Sequence, residues 1–283
     1  MKKNALILEG GGIRGIYSAG VLDFFASRNL VFDEIVGVSM GACNGAAYIS
    51  NQSKRNLRIP MTFVDDTRYL SYTRWLLGGD LFGMDFIFHT IPDELDKFDW
   101  EEFKKSKTDL TIVATNCVSG KPAYFSNFGD RGEFLEVLKA SCSLPFVAKE
   151  VIYKENILMD GGVSDPVPLH FVKSRNIEKI VIILTQPKDY RKSAFKLSKL
   201  LSLKYPNYKG LVKAMQERHT NYNNIIEEIN FLEEKGDIFV IRPDEKLKTK
   251  RVDKNKKRIM HSYLEGVKNA SKTFESLQKY LYK

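Results

Sequence analysis

A serine stands at the centre of the sequence Gly37-Val38-Ser39-Met40-Gly41. The apolar pair Ile35-Val36 precedes it and small residues follow it, so we predict that a short strand turns abruptly into a helix at Ser39. A serine at such a turn has strained backbone and a projecting hydroxyl, which are the requirements of a nucleophile. Because G-x-S-x-G strings also occur by chance, the rest of the chain has to decide whether Ser39 does chemistry.

A glycine-rich loop, Gly10-Gly11-Gly12-Ile13-Arg14-Gly15, lies upstream between an apolar run and a helical segment over residues 16–29. This order of strand, loop and helix matches the dinucleotide fingerprint G-x-G-x-x-G, which expects an acidic residue at the carboxyl end of the second strand. Here Asp33 and Glu34 come before the second strand and Ser39 comes after it. The position of the acids therefore disfavours a dinucleotide site.

The same loop is also typical of an oxyanion hole. Glycines would let the N–H groups of Gly11, Gly12 and Ile13 point into one small volume beside a helix N-terminus, where developing negative charge is stabilised. Two roles stay open for Arg14, which could hold a substrate phosphate or form a structural ion pair.

An aspartate ends a later predicted strand in Asn156-Ile-Leu-Met-Asp160-Gly161-Gly162. Asp-Gly is a strong turn former, so a simple turn is one interpretation. The functional interpretation is a carboxylate delivered at a strand end, where open α/β sheets place their chemistry. Of the four histidines, His170 is the best candidate for the base of a triad with Ser39 and Asp160.

The remaining patterns predict an α/β chain with a buried, mostly parallel sheet. Strands are predicted over residues 4–9, 35–38, 109–118, 121–126, 156–160, 179–185 and 237–242, with helices over 16–29, 133–140, 211–229 and 260–281 and directly after Ser39. No repeat or linker divides the 283 residues, so we expect one domain. The aromatic segment over residues 50–108 is either ordinary core or an apolar groove or lid that receives an acyl chain.

Charge and cysteine content limit the partners and the compartment. The 44 basic and 35 acidic residues give a net charge of +9, which favours anionic partners. The basic segment Lys246–Arg258 is interpreted as a solvated face first, an anionic membrane contact second and a nucleic-acid site last, so no nucleic acid is expected. Three widely spaced cysteines and the lack of a long apolar run favour a cytoplasmic protein, peripheral to the membrane at most.

Taken in order, the glycine loop, the serine turn and Asp160-Gly-Gly162 resemble the patatin-like phospholipase family. Further similarity lies in Ala114-Thr-Asn116, Gly120-Lys-Pro122 and Ala140-Ser-Cys-Ser-Leu-Pro145, and it extends over about residues 4–245. The resemblance implies a three-layer α/β/α sandwich, with a mostly parallel central sheet flanked by helices. It also implies a single domain over residues 1–283, with a helical extension from about residue 250.

The resemblance assigns a role to each motif. Ser39 would be the nucleophile, Asp160 the base of a dyad without histidine, and Gly10, Gly11 and Gly12 with Ile13 the oxyanion hole. Arg14 would be a candidate substrate or phosphate contact. The implied activity is hydrolysis of carboxyl esters of lipids without a metal or cofactor. Acyl transfer at the same site and non-catalytic lipid binding remain alternatives, and the oligomeric state stays open.

Overall fold

The computed structural model describes residues 3–195 and 198–282, so residues 1, 2, 196, 197 and 283 of the predicted domain lie outside the described residues. One sheet of eight strands crosses this part of the chain in the order β5-β6-β3-β2-β1-β7-β8, with β4 paired to β3. The strands are β1 (Asn4–Leu8), β2 (Glu34–Val38), β3 (Asp109–Asn116), β4 (Pro122–Phe125), β5 (Val151–Tyr153), β6 (Asn156–Asp160), β7 (Lys179–Ile183) and β8 (Phe239–Ile241).

Ten α-helices connect and cover these strands within the described residues. They are α1 (Ile16–Ser27), α2 (Met40–Ile49), α3 (Arg55–Phe63), α4 (Tyr72–Leu76), α5 (Trp100–Lys105), α6 (Arg131–Cys142), α7 (Leu169–Lys173), α8 (Ser198–Lys204), α9 (Lys209–Lys235) and α10 (Lys256–Tyr282). Short 3₁₀ turns span Gly12–Gly15 and Gly161–Val163, and a π-helix spans Phe86–Leu95.

Alternation along the strands creates two cores. From β1, Leu6 and Leu8 pack on one face of the sheet with residues of α1, α2, α6 and α10. Ala5 and Ile7 pack on the other face with residues of α7 and α9. Because successive side chains of a strand point to opposite faces, one apolar strand serves both layers. The predicted α/β fold with a central sheet flanked by helices is therefore confirmed.

Strand directions refine the prediction of a mostly parallel sheet. The strands β3, β2, β1, β7 and β8 are parallel to their neighbours in that row. By contrast, β4 and β6 pair antiparallel with β3, and β5 pairs antiparallel with β6. The sequence predicted every strand except β5, whose three residues are too few for a periodic pattern.

The C-terminal helix α10 packs tightly against α1. A Cβ atom added at Gly20 would lie 2.1 Å from the carbonyl oxygen of Tyr263, and one added at Gly266 would lie 2.0 Å from that of Tyr17. Only glycine permits this backbone approach. The predicted helical extension thus begins at Lys256 and lies directly against the first helix of the chain.

The aromatic segment over residues 50–108 divides between core and surface. Tyr69, Leu81 and Phe86 are buried in one apolar cluster, as the core interpretation expects. The tip around α4 differs, because Leu76 and Leu77 are 77% and 84% exposed. In the part of the chain that the structure describes, no helix combines the length and apolar character that a bilayer span requires.

Candidate active site

Ser39 lies at the turn from β2 to α2, with φ 55° and ψ −127°. A non-glycine residue with positive φ is strained, and such strain costs on the order of 1–3 kcal/mol. The flanking glycines make the turn possible: a Cβ atom at Gly37 would lie 2.5 Å from Cα of Ala42, and one at Gly41 would lie 2.3 Å from the carbonyl oxygen of Leu8. The local geometry is that of the predicted strand-to-helix turn.

The Ser141 side chain stabilises this turn through two hydrogen bonds. Its Oγ accepts a hydrogen bond from the N–H of Ser39 at 2.8 Å and donates one to the carbonyl oxygen of Val113 at 2.6 Å. All three groups are buried, so the serine side chain links the strained turn to β3. Sequence reasoning gave Ser141 no role, because a single serine at the end of α6 has no spacing that relates it to Ser39.

The sheet register brings Asp160 beside Ser39. In β2 and β3, Val38 pairs with Val113, and in β3 and β6 the next residue, Ala114, pairs with Asp160. The aspartate therefore lies one position from the serine turn across β3. Because β6 is antiparallel to β3, it is the register, rather than a shared strand direction, that places the carboxylate here.

Backbone contacts fix the aspartate in place. Its N–H donates to the carbonyl oxygen of Ser143 at 2.9 Å, its carbonyl accepts from Oγ1 of Thr115 at 2.9 Å, and its Oδ1 accepts from the N–H of Gly162 at 2.8 Å. The residue is only 6% exposed, and this burial raises the pKa of the Asp160 carboxyl above its ordinary value.

Four interactions oppose that rise, and the charge of Arg251 is the smallest of them. The charge of Arg218, the N–H of Gly162 and the Ser39 hydroxyl each lower the pKa of Asp160, in that order of size. Burial outweighs them, so the net direction is upward. A carboxylate with a raised pKa is a stronger base than an ordinary aspartate, which is what proton removal from a serine requires.

The glycine loop presses against the serine. A Cβ atom at Gly10 would lie 3.0 Å from Cβ of Ser39, and Gly12 has φ +55°. Among the described residues, no acceptor is hydrogen bonded to the N–H groups of Gly10, Gly11 or Gly12. The loop therefore has free amides beside Ser39, which can stabilise negative charge there.

Ile13 does not share this property, so the prediction that it belongs to the oxyanion hole is wrong. Its N–H donates to the carbonyl oxygen of Arg251 at 3.0 Å, and its side chain is buried in the apolar cluster around α3. An amide already bonded to a carbonyl is not available to a substrate oxygen.

One cavity that opens to solvent brings the predicted residues together, since Ser39, Asp160, Arg14 and the glycines 10–12 all line it. His170 is elsewhere: its side chain is 73% exposed and lies 3.2 Å from Glu228. His170 therefore does not meet Ser39 in the cavity, as a triad would require, and none of the four histidines lines it.

The electrostatics of the cavity were not evident from the sequence. Arg14 donates from Nε to Oγ1 of Thr185 at 3.3 Å and forms no ion pair with a described residue, against the structural alternative considered for it. Lys192, Arg218 and Arg251 line the cavity as well. They lie 153 to 212 positions after Ser39, in loops and a helix without a motif, so no sequence signal identified them.

A second cavity of about 590 Å³ is mainly apolar. Met40 and Cys43 of α2 line it together with Ile59, Phe88 and Leu138. The first and second cavities are separated at one point by two thiols, because Cys142 lines the first and its sulfur lies 3.7 Å from that of Cys43. An apolar space next to the serine turn fits the groove interpretation of the aromatic segment.

Comparisons with known proteins agree with the sequence motifs. Residues 6–173 match the family model described as patatin-like phospholipase, and residues 208–282 match a domain of unknown function, DUF6363. The uncharacterized protein YjjU of Escherichia coli is 29% identical over 251 residues, which cover 86% of this chain and 69% of YjjU. Lysophospholipase nte1 of Aspergillus terreus is 27% identical over 195 residues, covering 63% of this chain and 12% of nte1.

Among solved structures, VipD from Legionella pneumophila superposes with a TM-score of 0.51 over 97% of this chain and 67% of VipD. The sequence identity is 11%, so this likeness shows the fold alone. The family model covers more than half of the chain, and the resemblance inferred from the motifs is confirmed.

We expect Ser141→Ala to lower the free energy of unfolding by about 1–3 kcal/mol, because it leaves the buried N–H of Ser39 without an acceptor. Urea unfolding measures the change. Ser143→Ala is the matched control: this hydroxyl is equally buried but donates only to the carbonyl oxygen of Lys139, one helical turn earlier. Equal decreases in the free energy of unfolding of the two variants would show that the Ser141 hydroxyl stabilises the protein no more than the Ser143 hydroxyl does.

Proposed function

Because the chain belongs to the patatin-like phospholipase family, we propose that it is a serine hydrolase that cleaves carboxyl esters of lipids through Ser39 and Asp160. The observation that carries the proposal is the shared cavity, in which the strained serine, the buried aspartate and the free loop amides meet. The relative described as a lysophospholipase supports the same reaction class.

In the first step, Oγ of Ser39 attacks the ester carbonyl while Asp160 accepts the hydroxyl proton. The raised pKa of the buried aspartate favours this transfer. The carbonyl π electrons move to its oxygen, which becomes an oxyanion. The free N–H groups of Gly10, Gly11 and Gly12 would donate to this oxygen, and one such donor is worth about 3–4 kcal/mol in the transition state.

Collapse of the intermediate expels the alcohol, which takes the proton from Asp160 and leaves an acyl-Ser39 ester. Water then attacks this ester, again giving a proton to Asp160, and the carboxylic acid leaves as Ser39 recovers its hydrogen. The apolar cavity beside Met40 and Cys43 would hold the acyl chain during both steps.

We further propose that the cavity mouth meets an anionic membrane. The exposed apolar tip consists of Tyr72, Trp75, Leu76 and Leu77. The indole N–H of Trp75 donates to the carbonyl oxygen of Phe146 at 2.7 Å, next to Val147 on the cavity wall. An exposed apolar patch of this kind is typical of a membrane contact.

The basic segment Lys246–Arg258 adjoins this tip, since Nζ of Lys254 lies 6.0 Å from the ring centroid of Tyr72. Apolar insertion and electrostatic attraction would therefore act at one place, as they do in peripheral membrane proteins. Anionic lipid is concentrated in the cytoplasmic leaflet, so the proposal includes the cytoplasmic location expected from the sequence.

We expect wild type to react covalently with a fluorophosphonate probe and Ser39→Ala to show no labelling and at least a thousandfold lower ester hydrolysis, since the nucleophile is gone. Gel fluorescence and a chromogenic short-chain ester measure the two effects. His170→Ala is the control: it removes the histidine considered for a triad and should retain both probe labelling and ester hydrolysis. Undiminished labelling of Ser39→Ala would refute the assignment of the nucleophile.

The pH profile tests Asp160 as the base. A base works only when unprotonated, so kcat/KM is expected to fall as pH drops through the raised pKa of Asp160. Arg218→Gln removes a positive charge that lowers the pKa of Asp160, so the acid limb should move to higher pH. Arg218→Lys keeps the charge and should restore the limb, and Lys213→Gln on the same helix should not move it. An acid limb that stays at the same pH in wild type, Arg218→Gln and Arg218→Lys would argue against Asp160 as the base.

The membrane contact is tested with vesicles of mixed anionic and zwitterionic lipid. The double variant Leu76→Ser with Leu77→Ser should bind at least tenfold more weakly, because two exposed apolar side chains can no longer enter the lipid. The matched control, Val118→Ser with Ile152→Ser, removes two exposed apolar side chains elsewhere. Added salt and neutralisation of Lys248 and Lys250 should also weaken binding. Equal binding by both double variants would contradict the proposal.

A further inference from the structure

The cavity that contains Ser39 has an excess of positive charge. Among the residues that the structure describes, four basic side chains line it and two acidic ones do so, Glu9 and Asp160. The basic residues are Arg14, Lys192, Arg218 and Arg251. Three of these four lie beyond residue 173, where the match to the patatin-like family model ends. The C-terminal part of the chain therefore gives the site a charge that the catalytic motifs do not provide.

These four cations lack carboxylate partners. Within residues 3–195 and 198–282, none of them forms an ion pair. Arg218 donates from Nε to the carbonyl oxygen of Gly162 at 2.7 Å, and Nζ of Lys192 lies 3.8 Å from the ring centroid of Tyr222. Each arginine has five N–H donors, so most of the donor capacity in the cavity is unused.

The cations also repel one another. Burial lowers the pKa of Lys192 well below its usual value, and the charges of Arg218 and Arg251 lower it further. Burial and the charge of Arg251 lower the pKa of Arg218 to about 10. Cations that are half-buried, without an ion pair and mutually repulsive are costly to keep unless an anion joins them.

Glu9 does not relieve this repulsion by direct pairing. Its Oε2 accepts from the N–H and Oγ1 of Thr185 at 2.6 and 2.9 Å, and its Oε1 accepts from the hydroxyl of Tyr222 at 3.0 Å. The carboxylate is thus held by neutral donors. The only other acid of the cavity, Asp160, is engaged with Gly162.

Gln186 provides a second, independent sign of a ligand. It lines the same cavity and is 5% exposed, and its amide oxygen is buried without a hydrogen-bond partner among the described residues. A buried amide oxygen without a partner costs about 1–3 kcal/mol. A ligand hydroxyl would satisfy this acceptor.

We propose that this cavity binds the phosphomonoester headgroup of a monoacyl glycerophosphate lipid, with the phosphate among Arg14, Lys192, Arg218 and Arg251 and the free glycerol hydroxyl on Gln186. The assignment of this substrate class rests on the proposed hydrolase function, because the acyl ester must reach Ser39. A phosphomonoester carries up to two negative charges near neutral pH, which equals the excess of cations over carboxylates.

The geometry places the headgroup near the reacting ester. A Cβ atom at Gly12 would lie 2.8 Å from Cγ of Arg251, so this arginine lies directly against the glycine loop. Arg218 donates a hydrogen bond to the carbonyl oxygen of Gly162, two residues after Asp160. In a monoacyl glycerophosphate only a few bonds separate the phosphate from the ester. The phosphate could therefore contact these arginines while the ester lies at Ser39. A choline or ethanolamine group would instead bring another positive charge into the cationic cavity.

The test compares two esters with the same short acyl chain, a lysophosphatidate and a monoacylglycerol, at concentrations below micelle formation. Wild type should prefer the phosphate ester in kcat/KM by at least tenfold. Lys192→Gln should lower this ratio about tenfold, because a charge-assisted hydrogen bond is lost. The neighbouring Arg191→Gln is the matched control and should keep the ratio within twofold, since its side chain lies outside the cavity. Arg251→Gln should repeat the effect of Lys192→Gln.

Folding does not limit this test, because the backbone at Lys192 is held by Asn223 through two hydrogen bonds that the substitution leaves intact. Thermal unfolding of each variant checks this point. The preference of wild type between the two esters needs no variant at all. Equal kcat/KM values for the two esters would overturn the headgroup assignment while leaving the hydrolase proposal in place.

Binding to Ser39→Ala separates the two proposals and the sources of phosphate. A non-hydrolysable ether analogue of the lysophosphatidate should bind, by calorimetry, at least tenfold more tightly than inorganic phosphate and than the ether analogue of the monoacylglycerol. If Ser39→Ala shows this order of binding but the wild type neither hydrolyses esters nor reacts with the fluorophosphonate probe at Ser39, the hydrolase proposal alone is refuted. Inorganic phosphate binding as tightly as the lipid analogue would make this a site for free phosphate and overturn the lipid assignment.

Discussion

The strained backbone of Ser39 is the constraint on which the rest of the site depends. A positive φ at a serine persists only where surrounding contacts outweigh its cost. Here those contacts come from three directions: the close-packed glycines of the turn, the hydroxyl of Ser141, and the β3 carbonyl of Val113 behind it. The turn is therefore stabilised by tertiary contacts, although its sequence is a local motif.

Burial of Asp160 follows from the same arrangement. Asp160 lies one register position from Ser39 across β3 and is buried there, so little water reaches its carboxylate. Desolvation raises its pKa, and the amide of Gly162 and the charge of Arg218 limit the rise. In the proposed mechanism, this balance would leave Asp160 ionised and yet basic enough to accept a proton without a histidine.

The positive charge of the cavity connects the two parts of the chain. Helix α9 and the loops beside it carry Lys192, Arg218 and Arg251 to a site whose motifs all lie before residue 163. The close crossing of α10 and α1 at Gly20 and Gly266 fixes the C-terminal part against the helix that follows the glycine loop. The region after the family match thus completes both the fold and the electrostatics of the site.

The sequence by itself determined every strand except β5, the serine turn, the glycine loop and the position of Asp160 at a strand end, because period-2 and glycine patterns are local consequences of backbone geometry. It also gave the order of the motifs, from which the family resemblance followed. Tertiary structure alone decided that Ile13 bonds to Arg251 instead of serving the oxyanion hole, and that His170 is exposed and does not line the cavity. It alone brought Ser141 and the distant cations to Ser39, because strand register and helix packing set such contacts, and neither leaves a spacing in the sequence.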